Sequence, residues 1–164
     1  MFREMRRNKQ LLPVEESISI LEKVTSGVLA VVGDDEYPYS IPISYVYVDN
    51  VIYFHSALSG HKIDAIRNNN KASFCVIEQD VIIPEKYTTY FRSVIVFGKV
   101  RILEDESEKR RAIEKLAEKY SPTQVEGRKI EIESGFNHLC IIELTIEHLS
   151  GKEAIELVRS KMHK

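Results

Sequence analysis

The residues best suited to chemistry fall in one stretch, His55-Ser56-Ala57-Leu58-Ser59-Gly60-His61-Lys62-Ile63-Asp64-Ala65-Ile66-Arg67. A β-rich run ends at His55 and a loop of small residues follows. A short helix is then expected near Gly60, with Ser59 as N-cap and Ile63 and Ile66 on one face. A helix start offers free backbone N–H groups and the positive end of the dipole, which suit an anion. Lys62 adds a point charge, and the small residues let a phosphate approach the backbone closely. Two readings fit: a phosphate site, or an ordinary capped surface helix with a solvated lysine.

Other chemistries find little support. Gly151-Lys152 lacks the earlier Gly and the following Ser or Thr of a P-loop. No G-x-G-x-x-G, H-E-x-x-H or nucleophile-elbow pattern occurs, and His and Cys residues do not show zinc-ligand spacing, so no metal is expected. Cys75 and Cys140 lie in apolar, strand-like segments and read as small core residues. The 23 Lys and Arg nearly cancel the 25 Asp and Glu, leaving −2, so nucleic acid is not expected as a partner. No apolar run approaches the roughly 20 residues of a membrane helix, and the charged N-terminus lacks a secretory signal. A cytoplasmic protein without membrane attachment is the expectation.

The elements that must position these residues can be read from periodicity. Over 164 residues a single domain is expected, with an N-terminal helix over 13–25, a barrel over 27–149 and a C-terminal helix over 153–160. Pro13 with Glu15 and Glu16 suits a helix start, and Gly27 a stop. A strand follows from Gly27 to Val32, then a turn over Asp34–Pro38. Tyr39, Ile41, Ile43, Tyr45 and Tyr47 alternate with their neighbours as one strand, and Asp49-Asn50 turns it into Val51–His55. Pro42 within that run marks an edge, a bulge or a segment open to a ligand. Asn68-Asn69-Asn70 ends the short helix, and Lys71–Ile77 is again a strand. Residues 79–90 read as a loop, and Phe91–Leu103 as a long strand bent at Gly98. Asp105 and Glu108 open an amphipathic helix whose buried stripe is Ala112, Ile113, Leu116, Ala117 and Tyr120. Residues 121–137 read as irregular with at most a helical turn, before a last strand through Cys140, Ile142, Leu144 and Ile146. About six strands, mostly in meander order with helices between, predict a mainly β fold, a closed antiparallel barrel.

On these residues the chain resembles a known family. Pro42-Ile43-Ser44-Tyr45-Val46-Tyr47, Tyr53-Phe54-His55-Ser56-Ala57, Gly60-His61-Lys62-Ile63 and Arg92-Ser93-Val94-Ile95-Val96-Phe97-Gly98 are similar to successive motifs of the pyridoxamine 5′-phosphate oxidase-like flavin proteins, the nitroimidazole-resistance group in particular. The resemblance runs from about Arg6 to Lys152. It implies an FMN-binding split β-barrel that forms a homodimer, with FMN at the subunit interface. Pro42, Ile43, Ser44 and Tyr45 would border the flavin ring. His55, Ser56, Ala57, Gly60, His61 and Lys62 would meet the ribityl chain and phosphate, and Ser93 belongs to the same implied set. His55 would be the catalytic residue, with Tyr45 a further candidate proton donor. The chain lacks the paired Arg and Lys phosphate ligands and the substrate arginines of a true pyridoxamine phosphate oxidase. The implied activity is FMN-dependent reduction of small electrophiles such as nitroaromatics. Alternatives are a flavin storage or sensing protein, or a haem-binding barrel with His55 or His61 as axial ligand.

Overall fold

The structure, a computed structural model, describes residues 1–162; residues 163 and 164 of the expected domain lie outside the described residues. Helix α1 (Val14–Lys23) has Pro13 before it, Glu15 and Glu16 in its first turn and Lys23 in its last. These charges suit the two ends of its dipole. It does not run to Gly27. Val24 is already extended, and Gly27 lies inside β2 (Ser26–Val32), where a side chain would strike the Phe74 ring and the Cys75 carbonyl. A two-residue strand that periodicity did not reveal, β1 (Leu11–Leu12), pairs with Lys152 and Gly151.

The alternating run from 39 to 48 is two strands. β3 (Pro38–Ser44) pairs with β2, whereas β4 (Val46–Val48) pairs with β5 (Val51–Ala57). The turn between β4 and β5 is the expected Asp49-Asn50, with φ of 47° and 68°. Both residue types tolerate that left-handed backbone. Helix α2 (His61–Asn68) starts one residue later than Ser59 allows, with Gly60 at φ 120° as N-cap and no side-chain cap.

Residues 79–90 are not a loop. β6 (Lys71–Ile83) and β7 (Thr88–Ile102) form one long hairpin, its ladder continuing from Gln79↔Arg92 to Ile83↔Thr88. Pro84–Lys86 with left-handed Tyr87 supplies the turn. Helix α3 (Glu106–Tyr120) is capped as expected, the Asp105 carboxylate accepting the Glu108 N–H at 2.8 Å. Of its expected buried stripe Ala112, Ile113 and Leu116 are buried, whereas Tyr120, the last residue of the helix, is exposed. Residues 121–137 carry more than a turn: α4 (Val125–Gly135) packs against α3, burying Ile132. β8 (Leu139–Glu153) runs well past Ile146, so Ser150-Gly151-Lys152 is strand, and α5 (Ile155–Met162) follows. Cys75 is also displaced from its expected place: ladder alternation buries Phe74 and Val76 and turns Cys75 outward, half-exposed.

These strands form an eight-stranded, antiparallel sheet in the order β3-β2-β6-β7-β8-β5-β4, with β1 added beside β8. The order is not a simple meander, because β6 returns to β2 and β8 inserts beside β5. Gly98 is the expected bend. The β7–β8 register shifts there, and a side chain would strike the Thr145 carbonyl. Inward residues such as Leu29, Ile52, Phe54, Phe74 and Leu144 fill the barrel with Ile20 and Leu21 of α1, and a second cluster lies under α3 and α4.

The two end strands, β3 and β4, are separated in sequence by Tyr45 alone. The sheet therefore closes through the chain itself and not through a ladder. Tyr45 is fully buried, its ring edge-on to Phe74 with centroids 4.8 Å apart. The Tyr45 N–H donates to the Tyr120 hydroxyl at 2.9 Å, and that hydroxyl lies 2.9 Å from the Tyr45 carbonyl and against the Thr25 carbonyl. One phenol thus serves backbone groups that a neighbouring strand would otherwise satisfy. Tyr120→Phe should cost about 1–3 kcal/mol, the penalty for orphaned buried polar groups. The measurement is the urea midpoint at unchanged slope. A variant as stable as wild type would show that water serves Tyr45 equally well.

Candidate functional site

The break leaves two strand edges without partners. β4 reaches only as far as Tyr53 on β5, so among the described residues Phe54 to Ala57 have β8 on one side and no strand on the other. β3 is paired only with β2, which is why Pro42 is tolerated there. The edges come together beside the break, and Ser44 and His55 line one cavity of about 410 Å³. Its opposite wall comes from Leu116, Ala117 and Tyr120 of α3 and from Arg128 and Ile132 of α4.

The start of α2 follows β5 directly. Gly60, with its positive φ, turns the chain so that the first N–H groups of the helix stand clear of a side-chain cap. Lys62 is half-buried and makes no ion pair among the described residues. Burial raises the Cys140 thiol, and the charge of Lys62, with those of Lys109 and Arg67, opposes that rise. Cys140 donates to the Ala57 carbonyl at 3.3 Å, and only Leu58, Ser59 and Gly60 separate the end of β5 from the start of α2. This puts Ser56, Ala57, Gly60 and Lys62 in one neighbourhood.

The other site candidates divide. His55 is exposed at the cavity, and Pro42, Ile43 and Ser44 offer backbone along the open edge. His61 is otherwise engaged: its ring stacks on Tyr39 at 4.2 Å and its Nε2 lies 3.6 Å from Asp34, fixing α2 to the β2–β3 turn. The Tyr45 side chain points into the core, and among the described residues its buried hydroxyl has no hydrogen-bond partner. Burial, then the neighbouring Tyr120, push its pKa well above the ordinary phenol value. Ser93 stands opposite Ile77 and Lys152, whereas His55 stands opposite Ile141, so Ser93 lies toward the other end of β8. Beside it Arg92 pairs with Glu16, Glu78 and Glu153 at 2.5, 3.0 and 3.4 Å. Periodicity missed Arg128 and Ile132; their i, i+4 spacing was the only signal.

Behind the cleft, Lys119 pins α3 to the end of α1. Its Nζ donates to the Val24 and Leu21 carbonyls at 2.6 and 3.4 Å and lies 4.2 Å from the Tyr45 ring centroid. Burial pushes its pKa down from 10.5 to about 8. Below that value folded and unfolded chains both hold the proton, while between the two values only the unfolded chain does. Stability at this site should therefore rise with pH across that window. Comparing wild type with Lys119→Met isolates the effect: the difference should move in favour of wild type from pH 8 to 10.5. A flat difference would contradict it.

An antiparallel barrel closed by its own chain, with a cleft at the break, is a split barrel. The family profile described as pyridoxamine 5′-phosphate oxidase matches residues 13–153, and the chain belongs to that family. Solved structures agree on the fold. A candidate 5-nitroimidazole antibiotic resistance protein from Bacteroides thetaiotaomicron is 19% identical, with a TM-score of 0.74 over 87% of this chain and 86% of that one. A FAD-binding protein from Mesorhizobium loti is 25% identical, with a TM-score of 0.63 over 88% and 97%. A FAD- and haem-binding protein from Mycobacterium smegmatis is 19% identical, with a TM-score of 0.72 over 89% and 73%. No curated protein matches the sequence. Among the described residues no helix is long and apolar enough to cross a membrane.

Proposed function

We propose that the protein is a cytoplasmic flavoprotein that holds FMN at the split of the barrel and reduces small electrophiles, nitroaromatics among them. The observation that carries this reading is the meeting of two unpaired strand edges, Pro42–Ser44 and His55–Ala57, beside the start of α2 and Lys62. Unpaired backbone groups suit the polar rim of a flat heteroaromatic ring, and a helix start with a lysine suits a phosphate. Family membership supports the same cofactor class. A single lysine at a single helix start favours the monophosphate over FAD. The flavin would carry the electrons, and the chain would orient it and control access of water.

His55 is exposed and lines the cavity, which supports a role for it in orienting or protonating a substrate. Likeness to the Bacteroides protein favours a nitro compound. The remoteness of Ser93 from His55 favours a homodimer, in which Ser93 of each copy serves the cleft of the other. Ile77, Ile82 and Ile95, exposed on β6 and β7, supply apolar surface for such an interface.

Denaturing the purified protein should release FMN, whereas a Soret band or no chromophore would overturn the cofactor reading. Lys62→Ala should weaken FMN by one to two decades, the loss of one charge-assisted hydrogen bond at roughly 1.5–3 kcal/mol, and riboflavin much less. Equal weakening of both ligands would deny Lys62 a phosphate role. His55→Ala should slow single-turnover reduction of a nitroimidazole by pre-reduced protein about 10²- to 10⁴-fold at equal flavin occupancy. Equal rates would remove His55 from the chemistry. Sedimentation should give a dimer; a monomer with flavin fully bound would contradict the shared site.

A further inference from the structure

We propose that the cavity beneath α4 selects small carboxylates with a ring-sized apolar body, and that Arg128 is the residue that recognises them. As a substrate pocket this rests on the flavin reading above; as a binding site it stands on the cavity alone. A volume of about 410 Å³ is in the range of small-molecule sites, roughly 300–1,000 Å³. One wall is apolar, built from Ile113, Leu116, Ala117, Ile132 and Leu139, and His55 borders the same space.

Arg128 differs from Arg92, Arg101 and Arg110, each of which is paired with carboxylates. Its Nη1 donates to the Ser121 and Pro122 carbonyls at 3.0 and 3.3 Å, which fixes the plane of the guanidinium. Among the described residues Nε and Nη2 have no hydrogen-bond or ion-pair partner. Those two atoms present parallel N–H groups along one edge, the geometry that receives a carboxylate through two bonds. Arg128 also borders a second cavity of about 190 Å³ lined by Glu114, Glu118 and Glu133, where Glu133 is paired with Arg110 and Glu118 with Lys115. Glu131 borders the larger cavity, but it is exposed where Arg128 is half-buried, so water screens its charge more. A half-buried, pre-oriented and unpaired cation over an apolar wall is matched by an anion with an apolar body.

Calorimetric titration with 4-nitrobenzoate and with 4-nitrotoluene tests this, since the two share a shape and differ in charge. The titration is run with and without saturating FMN. Wild type should bind the carboxylate at least about tenfold more tightly. Arg128→Gln should abolish that preference while leaving 4-nitrotoluene affinity unchanged, and Arg128→Lys should keep part of it. Ala117→Leu, which fills the cavity wall, should weaken both ligands. Absence of binding or of a preference in wild type would overturn the proposal, as would a preference that survives Arg128→Gln. If no FMN is taken up yet the Arg128-dependent preference persists, the flavin reading falls and this one stands.

Discussion

The Tyr120 hydroxyl occupies the place that a strand would take at the break between β3 and β4, and the rest of the molecule is arranged around that substitution. A barrel closed by a full ladder would have no unpaired edge. Here the chain crosses from one half of the sheet to the other at Tyr45, and the side chain at the crossing is sunk into the core. Its backbone groups turn to Tyr120. Because that phenol belongs to the last residue of α3, the helix must end at the break, and α4 must fold back over the cavity beside it. The same contact that completes the barrel thus sets the far wall of the cleft.

The neighbouring elements hold this arrangement from both sides. Lys119 ties the end of α3 to the end of α1 through carbonyls that the helix itself leaves free. His61 ties α2 to the β2–β3 turn through Tyr39 and Asp34, which keeps the helix start beside the end of β5. The open edges are therefore anchored near their ends by these contacts, while Ser40, Pro42 and Ala57 stay exposed along them. A site built this way needs little rearrangement to take a flat ligand, since its frame is covalent and core-packed.

How much of this could be read from sequence follows from which signals are local. The Asp49-Asn50 turn, the Asp105 cap and the Gly98 bend were legible because each depends on residue types that few alternatives satisfy. The start of α2 was legible to within a residue, although Ser56 and Ala57 extend β5 and Gly60, not Ser59, is the N-cap. The break at Tyr45 was not, because Ile41, Ile43, Tyr45 and Tyr47 keep their alternation straight through it, and pairing partners leave no mark on periodicity. The β6–β7 hairpin was obscured by Pro84 and its tyrosines, though Pro84 occupies only the turn. Helix α4 was obscured by Gly127 and by an apolar pattern too weak to define a face, with Ile132 its only buried residue. The absorbed role of Tyr45 and the free edge of Arg128 are both tertiary facts. Each depends on a residue far away in sequence or on a cavity between elements.

The central claim is that the split in the barrel receives the cofactor. Amide hydrogen exchange with and without FMN tests it most directly, because unpaired edges exchange freely until something covers them. FMN should slow exchange in segments 41–44 and 54–63, on β3 and at the β5–α2 junction, and leave the β6–β7 hairpin paired as before. Protection confined to other segments, with those two unchanged, would contradict the account.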